Sequence, residues 1–455
     1  MASEGPRILT VPGGTSPGAV AMAFASLHKL VELHEAREAH ASGDAADAPS
    51  PSAPHTVVVL RPPASVAHQS LRQAAESPSS PFPELPDDQA ADPHLLDGVD
   101  LVVPTSGSST GTPHLVGLSV EAMLASARAT HDVLGGPGNW ILALPAHHIA
   151  GAQVLFRAAV SGTDPFIVDM TGGFSPARLL PAIAGATAEA DAPGYLSLVP
   201  VQLRACLEAG GEVVAALTRL SAVLVGGSSV DRALVEAARE RGIRVVTTYG
   251  MTETCGGCVY DALPLPGVSV RSVDVDGQQR LAVAGAVLLT RYLDGPAPFI
   301  DEGGVRWLLT GDLGLITPAR TVEVLGRADD VIVSGGLSIA PAPVRQAVLS
   351  TPGVADAWIL GLPDPKWESV VAAAVVPDPA LGVSATPTGS APSPALSDLS
   401  TSIRDHVGRE LGRAQSPRVV VALERLPLLD SGKTNPRAVL EAVRARLGTA
   451  AAWQR

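Results

Sequence analysis

Cysteine is nearly missing from this chain: three in 455 residues. That excludes a disulfide framework and fits a reducing compartment. Cys255 and Cys258 form one C-x-x-C, but no second pair or nearby histidine completes a zinc site, so both are expected to be small buried residues. Aromatic residues are also scarce, at 3%, too few to build an aromatic cage for a ligand. Basic residues number 32 against 45 acidic ones, for a net charge of −13, and no block of Lys/Arg occurs. Nucleic acid and anionic membrane are therefore excluded as principal partners. No uninterrupted apolar run reaches the length of about 18 residues that a membrane span needs. Met-Ala-Ser-Glu at the start lacks a basic n-region, so no secretory signal is expected, and the expected location is cytoplasmic.

What the chain does have is length and hydrophobic mass. Hydrophobic residues make up 46% and charged ones 17%, enough for a large core divided over two or three domains. Residues 1–39 read as strand, Gly-rich turn and helix, the helix starting at Pro17. Residues 40–54 and 76–94 are Pro/Ser/Asp-rich and read as loops. From about 100 to 326, short Val/Leu/Ile runs alternate with Ala-rich amphipathic segments such as 231–241. That alternation predicts α/β layers around a largely parallel sheet. Residues 268–325 read as mostly strand, with turns at Asp276-Gly277 and Glu302-Gly303-Gly304. After Gly326-Arg327 the pattern restarts as a small α+β unit, interrupted by a low-complexity loop at 377–397. The expected fold is thus a large layered α/β N-terminal domain, 1–326, with a β-rich subdomain, and a small mobile α+β C-terminal domain, 327–455.

The stretch Thr105-Ser-Gly-Ser-Ser-Thr-Gly111 stands out within the first domain. Glycines allow tight turning, hydroxyls add donors, and successive backbone N–H groups in such a loop form an anion-binding concavity. It is not a Walker A loop, since no Gly-Lys-Ser/Thr follows. Alone, it could equally be a solvated linker. Further motifs follow in order: Val225-Gly-Gly-Ser-Ser229, Thr248-Tyr-Gly-Met-Thr-Glu253, Leu309-Thr-Gly-Asp-Leu-Gly314, the segment from Gly326-Arg327 to Gly335-Gly336, and Gly432-Lys433. Each alone is a turn, a cap or a surface charge. Their order is specific.

With these motifs in this order, residues 100–440 resemble the adenylate-forming superfamily of acyl-CoA synthetases, luciferases and peptide-synthetase adenylation domains. The segments Leu144-Pro-Ala-His-His-Ile-Ala-Gly151 and Tyr249–Asp261 are most similar to the branch that activates o-succinylbenzoate in menaquinone biosynthesis. The resemblance implies ATP, Mg²⁺ and coenzyme A as substrates and metal, a small-molecule acid as partner, and no prosthetic group. A homo-oligomer is left open.

It also implies roles. Thr105, Ser106, Gly107, Ser108, Ser109, Thr110 and Gly111 would hold the β/γ-phosphates. Gly226, Gly227 and Ser228 would lie by adenine, Tyr249 would stack on it, and Gly250 belongs to the same nucleotide site. Thr252 would bond the α-phosphate and Glu253 would hold Mg²⁺. Asp312 and Arg327 would take the ribose, and Lys433 would bridge carboxylate and α-phosphate, with Thr252, Arg327 and Lys433 as the catalytic set. Asp329 would be the hinge, and 337–341 would enter the site for thioester formation.

For the acid, His148 reads as pocket wall rather than metal ligand, Gly256-Gly257 as room for a flat ring, and Arg157 as a partner for the aryl carboxylate. An exposed helical arginine is the plainer alternative for Arg157, an exposed tail lysine for Lys433. Two departures from the superfamily pattern stand out: the loop has one residue more than usual, and His114 occupies the place of a customary lysine. Rival readings are another aryl- or fatty-acyl-CoA ligase, a carrier-loading adenylation domain, and a non-catalytic nucleotide-binding relative.

Overall fold

Runs of Val, Leu and Ala bounded by turns become strands, and the computed structural model gathers them into four sheets among the residues it describes, 6–42, 55–62, 94–105, 114–189, 191–383, 385–386, 391–429 and 432–454. The largest sheet runs in the order Phe166–Ile167, Asn139–Leu142, Gly194–Leu198, Ala222–Gly226, Val245–Met251, Gly256–Tyr260, Leu263–Pro264. Its first five strands are parallel and the last two antiparallel. Gly194–Leu198 and Ala222–Gly226 are buried along their whole length, which is why they read as continuous apolar runs rather than alternating ones. Parallel strands all end on one edge, and ligands bind outside that edge. Four successive strand ends therefore bring His148, Val199, Gly227 and Thr252-Glu253 toward each other.

Arg7–Pro12, Thr56–Arg61, Leu101–Pro104, Leu115–Leu118 and Arg291–Tyr292 make a second sheet. The expected N-terminal strand, turn and helix are present as Arg7–Pro12 and Pro17–Ser42. The strand Leu115–Leu118 was not anticipated. It pairs antiparallel with Leu101–Pro104, so the Gly/Ser loop connects the two arms of a hairpin. The helix beyond it, Val120–Leu134, is capped by Ser119 Oγ and runs past Arg128 to Gly135, whose φ of 106° ends it.

The helix Ile149–Val160 packs against Pro17–Ser42, Val120–Leu134 and the large sheet. It is enclosed on nearly all sides, with Val154, Leu155, Phe156 and Ala158 at 0% exposure. A helix so placed must be apolar all round. Its two polar residues, Gln153 and Arg157, share a face with Ile149 at four-residue spacing.

The β-rich part, Val268–Val275, Gln278–Gly285, Phe299–Glu302, Val305–Ile316 and Val322–Arg327, forms the third sheet. Both anticipated turns close hairpins, at Asp276-Gly277 and Gly303-Gly304. In the fourth sheet, strand Glu368–Pro377 sends Val371, Ala373 and Val375 to one core and Val370, Ala372 and Ala374 to another, the two-residue period of a strand buried on both faces. Helices Pro341–Leu349 and Pro394–Glu410 cover one side and Pro436–Arg444 the other. Pro394–Glu410 starts inside the expected loop, because Ser393 caps it and Pro394 suits the first turn. The strand Ala452–Gln454 was also missed.

Cys206, Cys255 and Cys258 are free, with 0% exposure. Burial pushes the thiols of Cys206 and Cys258 up to about 12.

Candidate active site

A cleft of about 1660 Å³ opens at the ends of the parallel strands and runs to the turn bearing Lys433. Every anticipated site residue that lies within the described part lines it: Thr105, His148, Arg157, Gly226, Gly227, Ser228, Tyr249, Gly250, Thr252, Glu253, Gly256, Gly257, Asp312, Arg327, Asp329 and Lys433. Ser106, Gly107, Ser108, Ser109, Thr110 and Gly111 lie outside the described residues. The two ends of their loop are tied together. Thr105 N–H donates to His114 C=O at 2.8 Å, and His114 N–H donates to Thr105 Oγ1 at 2.8 Å.

At one end of the cleft, Asp312 and Arg327 face each other across paired strands. Arg327 Nη1 donates to Asp312 Oδ1 at 3.3 Å, and Tyr249 Oη donates to Asp312 Oδ2 at 2.8 Å. Each carboxylate oxygen has two lone-pair directions, so Asp312 can accept more bonds than these two. Burial, helped by the Asp312 charge, holds the Tyr249 phenol well above its ordinary range, so it stays protonated as a donor.

Several of the glycines have a packing reason of their own. A Cβ on Gly226 would sit 2.1 Å from Thr248 Oγ1, and one on Gly250 would sit 2.0 Å from Gly256 C=O. Close strand pairing alone therefore demands glycine at both positions. At Gly227 the nearest side-chain atom to such a Cβ is Lys433 Cε, at 3.6 Å.

Lys433 is carried by a tight turn. Gly432 has φ +77°, Gly432 N–H donates to Leu429 C=O, and Leu429 N–H donates to Lys433 C=O at 2.7 Å. Burial lowers the pKa of its ammonium below the ordinary lysine value, and Glu253 and Asp312 oppose that shift. His148, beside it, is held well below its ordinary value by burial first, then by His147 and Lys433. The His147 and His148 rings lie 4.4 Å apart, and burial brings His147 down to about 4. At neutral pH the cleft is therefore lined here by the neutral imidazole of His148, backed by that of His147.

Toward the interior, Arg157 is 3% exposed. Its Nη2 donates to Tyr260 Oη at 3.1 Å, its guanidinium lies over the Trp140 ring at 5.0 Å, and its Nε has no hydrogen-bond partner. Among the described residues no carboxylate pairs with it. The exposed-arginine alternative is thereby overturned. Gln153 Nε2 donates to Cys255 C=O at 2.7 Å, which fixes the amide orientation. Gly256 is held against Gln153, where a Cβ would meet Cγ at 3.1 Å.

Glu253 Oε1 accepts from Tyr292 Oη at 2.7 Å. No described group bonds its other oxygen, and no described cluster of three acidic, His or Cys ligands exists. A single hard carboxylate with one oxygen open suits Mg²⁺, which keeps several waters and binds through one or two carboxylates plus substrate phosphates. His114, the departure at the lysine position, donates from Nδ1 to Asp294 Oδ2 at 3.0 Å and stacks on Tyr292 at 4.8 Å. Tyr260, Tyr292 and Asp294 were missed from sequence. One available signal was rarity: the chain has four tyrosines; Tyr249 and Tyr292 line this cleft and Tyr260 bonds its Arg157.

Comparison with known proteins gives a consistent set of relatives. The profile of the AMP-binding enzyme family matches residues 16–289, and that of the AMP-binding enzyme C-terminal domain matches 344–433. A probable 2-succinylbenzoate–CoA ligase of Mycobacterium tuberculosis is 40% identical over 349 residues, covering 76% of this chain and 84% of the relative. The 2-succinylbenzoate–CoA ligase of Enterococcus faecalis is 26% identical over 364 residues, covering 75% and 69%. Among solved structures, the fold matches o-succinylbenzoate CoA synthetase (MenE) of Bacillus subtilis in complex with the acyl-adenylate OSB-AMP, with TM-score 0.65, 23% identity, and coverage of 96% and 88%. It also matches ATP-bound MatB of Rhodopseudomonas palustris, with TM-score 0.67, 19% identity, and coverage of 96% and 88%.

Proposed function

The chain belongs to the AMP-binding enzyme family, and from that premise we propose that it joins 2-succinylbenzoate to coenzyme A through an acyl-adenylate, the o-succinylbenzoate step of menaquinone biosynthesis. A carboxylate does not acylate a thiol, because oxide is too poor a leaving group. In the first step a carboxylate oxygen attacks the α-phosphorus of ATP, an O–P bond forms, and pyrophosphate departs. In the second, the thiolate of coenzyme A attacks the acyl carbonyl, a C–S bond forms, and AMP departs.

The first step brings two anions together, so fixed positive charge and donors carry it. Lys433 would stand between the carboxylate and the α-phosphate, and Thr252 would donate to that phosphate. Asp312, oriented by Tyr249 and Arg327, would accept from the ribose hydroxyls. Mg²⁺ on Glu253 would neutralise phosphate charge. The neutral His148 closes the acid side without adding a competing cation. Asp329, between the strands Val322–Arg327 and Ile332–Ser334, would be the hinge about which the small domain, 327–455, turns between steps.

Arg157 carries the choice of acid. A buried guanidinium without a carboxylate partner is costly unless a ligand supplies the anion, and the aryl carboxylate of 2-succinylbenzoate is such an anion. A fatty-acyl pocket has no use for it. A non-catalytic relative would not need Lys433, Thr252, Glu253, Asp312 and Arg327 in one cleft.

The test is kcat/KM for 2-succinylbenzoate and for the analogue without the aryl carboxylate. Arg157→Gln removes a charge-assisted hydrogen bond worth about 1.5–3 kcal/mol, roughly a 10- to 150-fold loss on 2-succinylbenzoate. The analogue loses little. Equal losses on both acids would make Arg157 structural, and the substrate assignment would then rest on the family likeness alone.

A further inference from the structure

The geometry points to Tyr292 as a positioning residue. Its hydroxyl holds one oxygen of Glu253 and leaves the other available to a metal, and its ring ties that carboxylate to His114 at the closing end of the loop 105–114. The inference rests on the reading of Glu253 as the magnesium ligand.

Tyr292 sits where two parts of the site are fastened to each other. It lies in the strand Arg291–Tyr292, which pairs antiparallel with Leu115–Leu118, Tyr292 opposite Val116. That partner strand is the outgoing arm of the loop. Just before this strand, Leu289 N–H donates to Glu253 C=O at 2.8 Å. Just after it, Leu293 N–H donates to Leu115 C=O at 2.9 Å. One short segment thus bonds to the backbone of Glu253 and to the backbone that leaves the loop.

The side chains repeat the connection. Tyr292 Oη reaches Glu253 Oε1 at 2.7 Å, while its ring stacks on His114 with planes 20° apart. His114 is held in turn by Asp294. A free glutamate in a 3₁₀ turn would sample several rotamers. This one is committed through Oε1. The histidine in place of the customary lysine fits the same device. Its ring serves the clamp.

The test uses Mn²⁺ as the metal, bound with a non-hydrolysable ATP analogue and titrated by electron paramagnetic resonance. AMP affinity is measured separately by calorimetry. Tyr292→Phe keeps the ring and the stack but removes the hydroxyl. Mn²⁺ affinity is expected to fall about tenfold, the lower end of what losing an orienting partner of a metal ligand costs. AMP affinity, which depends on Asp312 and Tyr249, is expected to hold. Glu253→Gln lowers Mn²⁺ affinity on its own. If Tyr292 acts through Glu253, adding Tyr292→Phe to Glu253→Gln costs nothing more.

His114→Ala removes the stack and keeps the hydroxyl, so it weakens Mn²⁺ binding less than Tyr292→Phe does. Unchanged Mn²⁺ affinity in Tyr292→Phe, an equal loss of AMP affinity, or additive effects in the double variant would each overturn the inference. If Glu253→Gln leaves Mn²⁺ affinity intact, the reading of Glu253 falls first and the inference falls with it.

Discussion

Lys433→Ala is expected to lose acyl-adenylate formation by on the order of 10²–10³-fold, the typical cost of removing one group aimed at developing charge, yet still convert preformed acyl-adenylate to thioester. The reason is positional. The Gly432 turn puts the lysine stem against Gly227, with Glu253, Asp312, Arg327 and His148 all close enough to act on a titration in the cleft. An ammonium there offsets the repulsion between an incoming carboxylate and an α-phosphate. Thioester formation has no such meeting of anions at that point. Because burial lowers the pKa of Lys433 below the ordinary lysine value, adenylation should also decline with rising pH earlier than an exposed lysine would allow. Rates of pyrophosphate release and of thioester formation, measured separately, check both statements. An equal loss in the two half-reactions would remove Lys433 from the role.

Asp329→Pro is the second large effect. Asp329 lies in the 3₁₀ turn Ala328–Asp330, between a strand of the third sheet and one of the fourth. Proline fixes φ near −65°, within the range of a 3₁₀ turn. The orientation seen here, with Lys433 in the cleft, is thus the one such a residue favours. If Asp329 is the proposed hinge, adenylation should survive nearly intact and thioester formation should fall by orders of magnitude, because the second step would then need the small domain to turn. Single-turnover measurements of each half-reaction decide it. If adenylation is the step that suffers, the hinge lies elsewhere.

Much of this site could be read in the sequence because glycine marks the turns that present it. Thr252-Glu253, Arg327 and Lys433 each stand at a strand end or turn, and Asp312 stands within the strand Val305–Ile316, all beside glycines that interrupt apolar runs. The parallel sheet was equally legible, since its buried strands are short, apolar and evenly spaced by helices. What escaped notice depends on contacts between distant segments. Tyr292 belongs to a two-residue strand too short to show a period, and Asp294 lies just beyond it; only pairing with Leu115–Leu118 brings Tyr292 to Glu253 and Asp294 to His114. Tyr260 and Trp140 meet Arg157 through packing of a helix on a sheet, which no local pattern encodes. Gly226 was read as lying by adenine and Gly250 as part of the nucleotide site, and strand packing already forbids a side chain at both.

The placement of sulfur has a practical consequence. All three thiols lie before Arg327, fully enclosed, and residues 327–455 contain none. A buried thiol is nearly inert to alkylating reagents, because only the thiolate reacts and only when solvent reaches it. Alkylation at neutral pH therefore times how often the larger part of the chain breathes open. Swinging of the smaller part goes unrecorded. The same reagent, applied with and without ATP, separates ligand tightening of the nucleotide-binding body from any change in how its neighbour is oriented, without an introduced label.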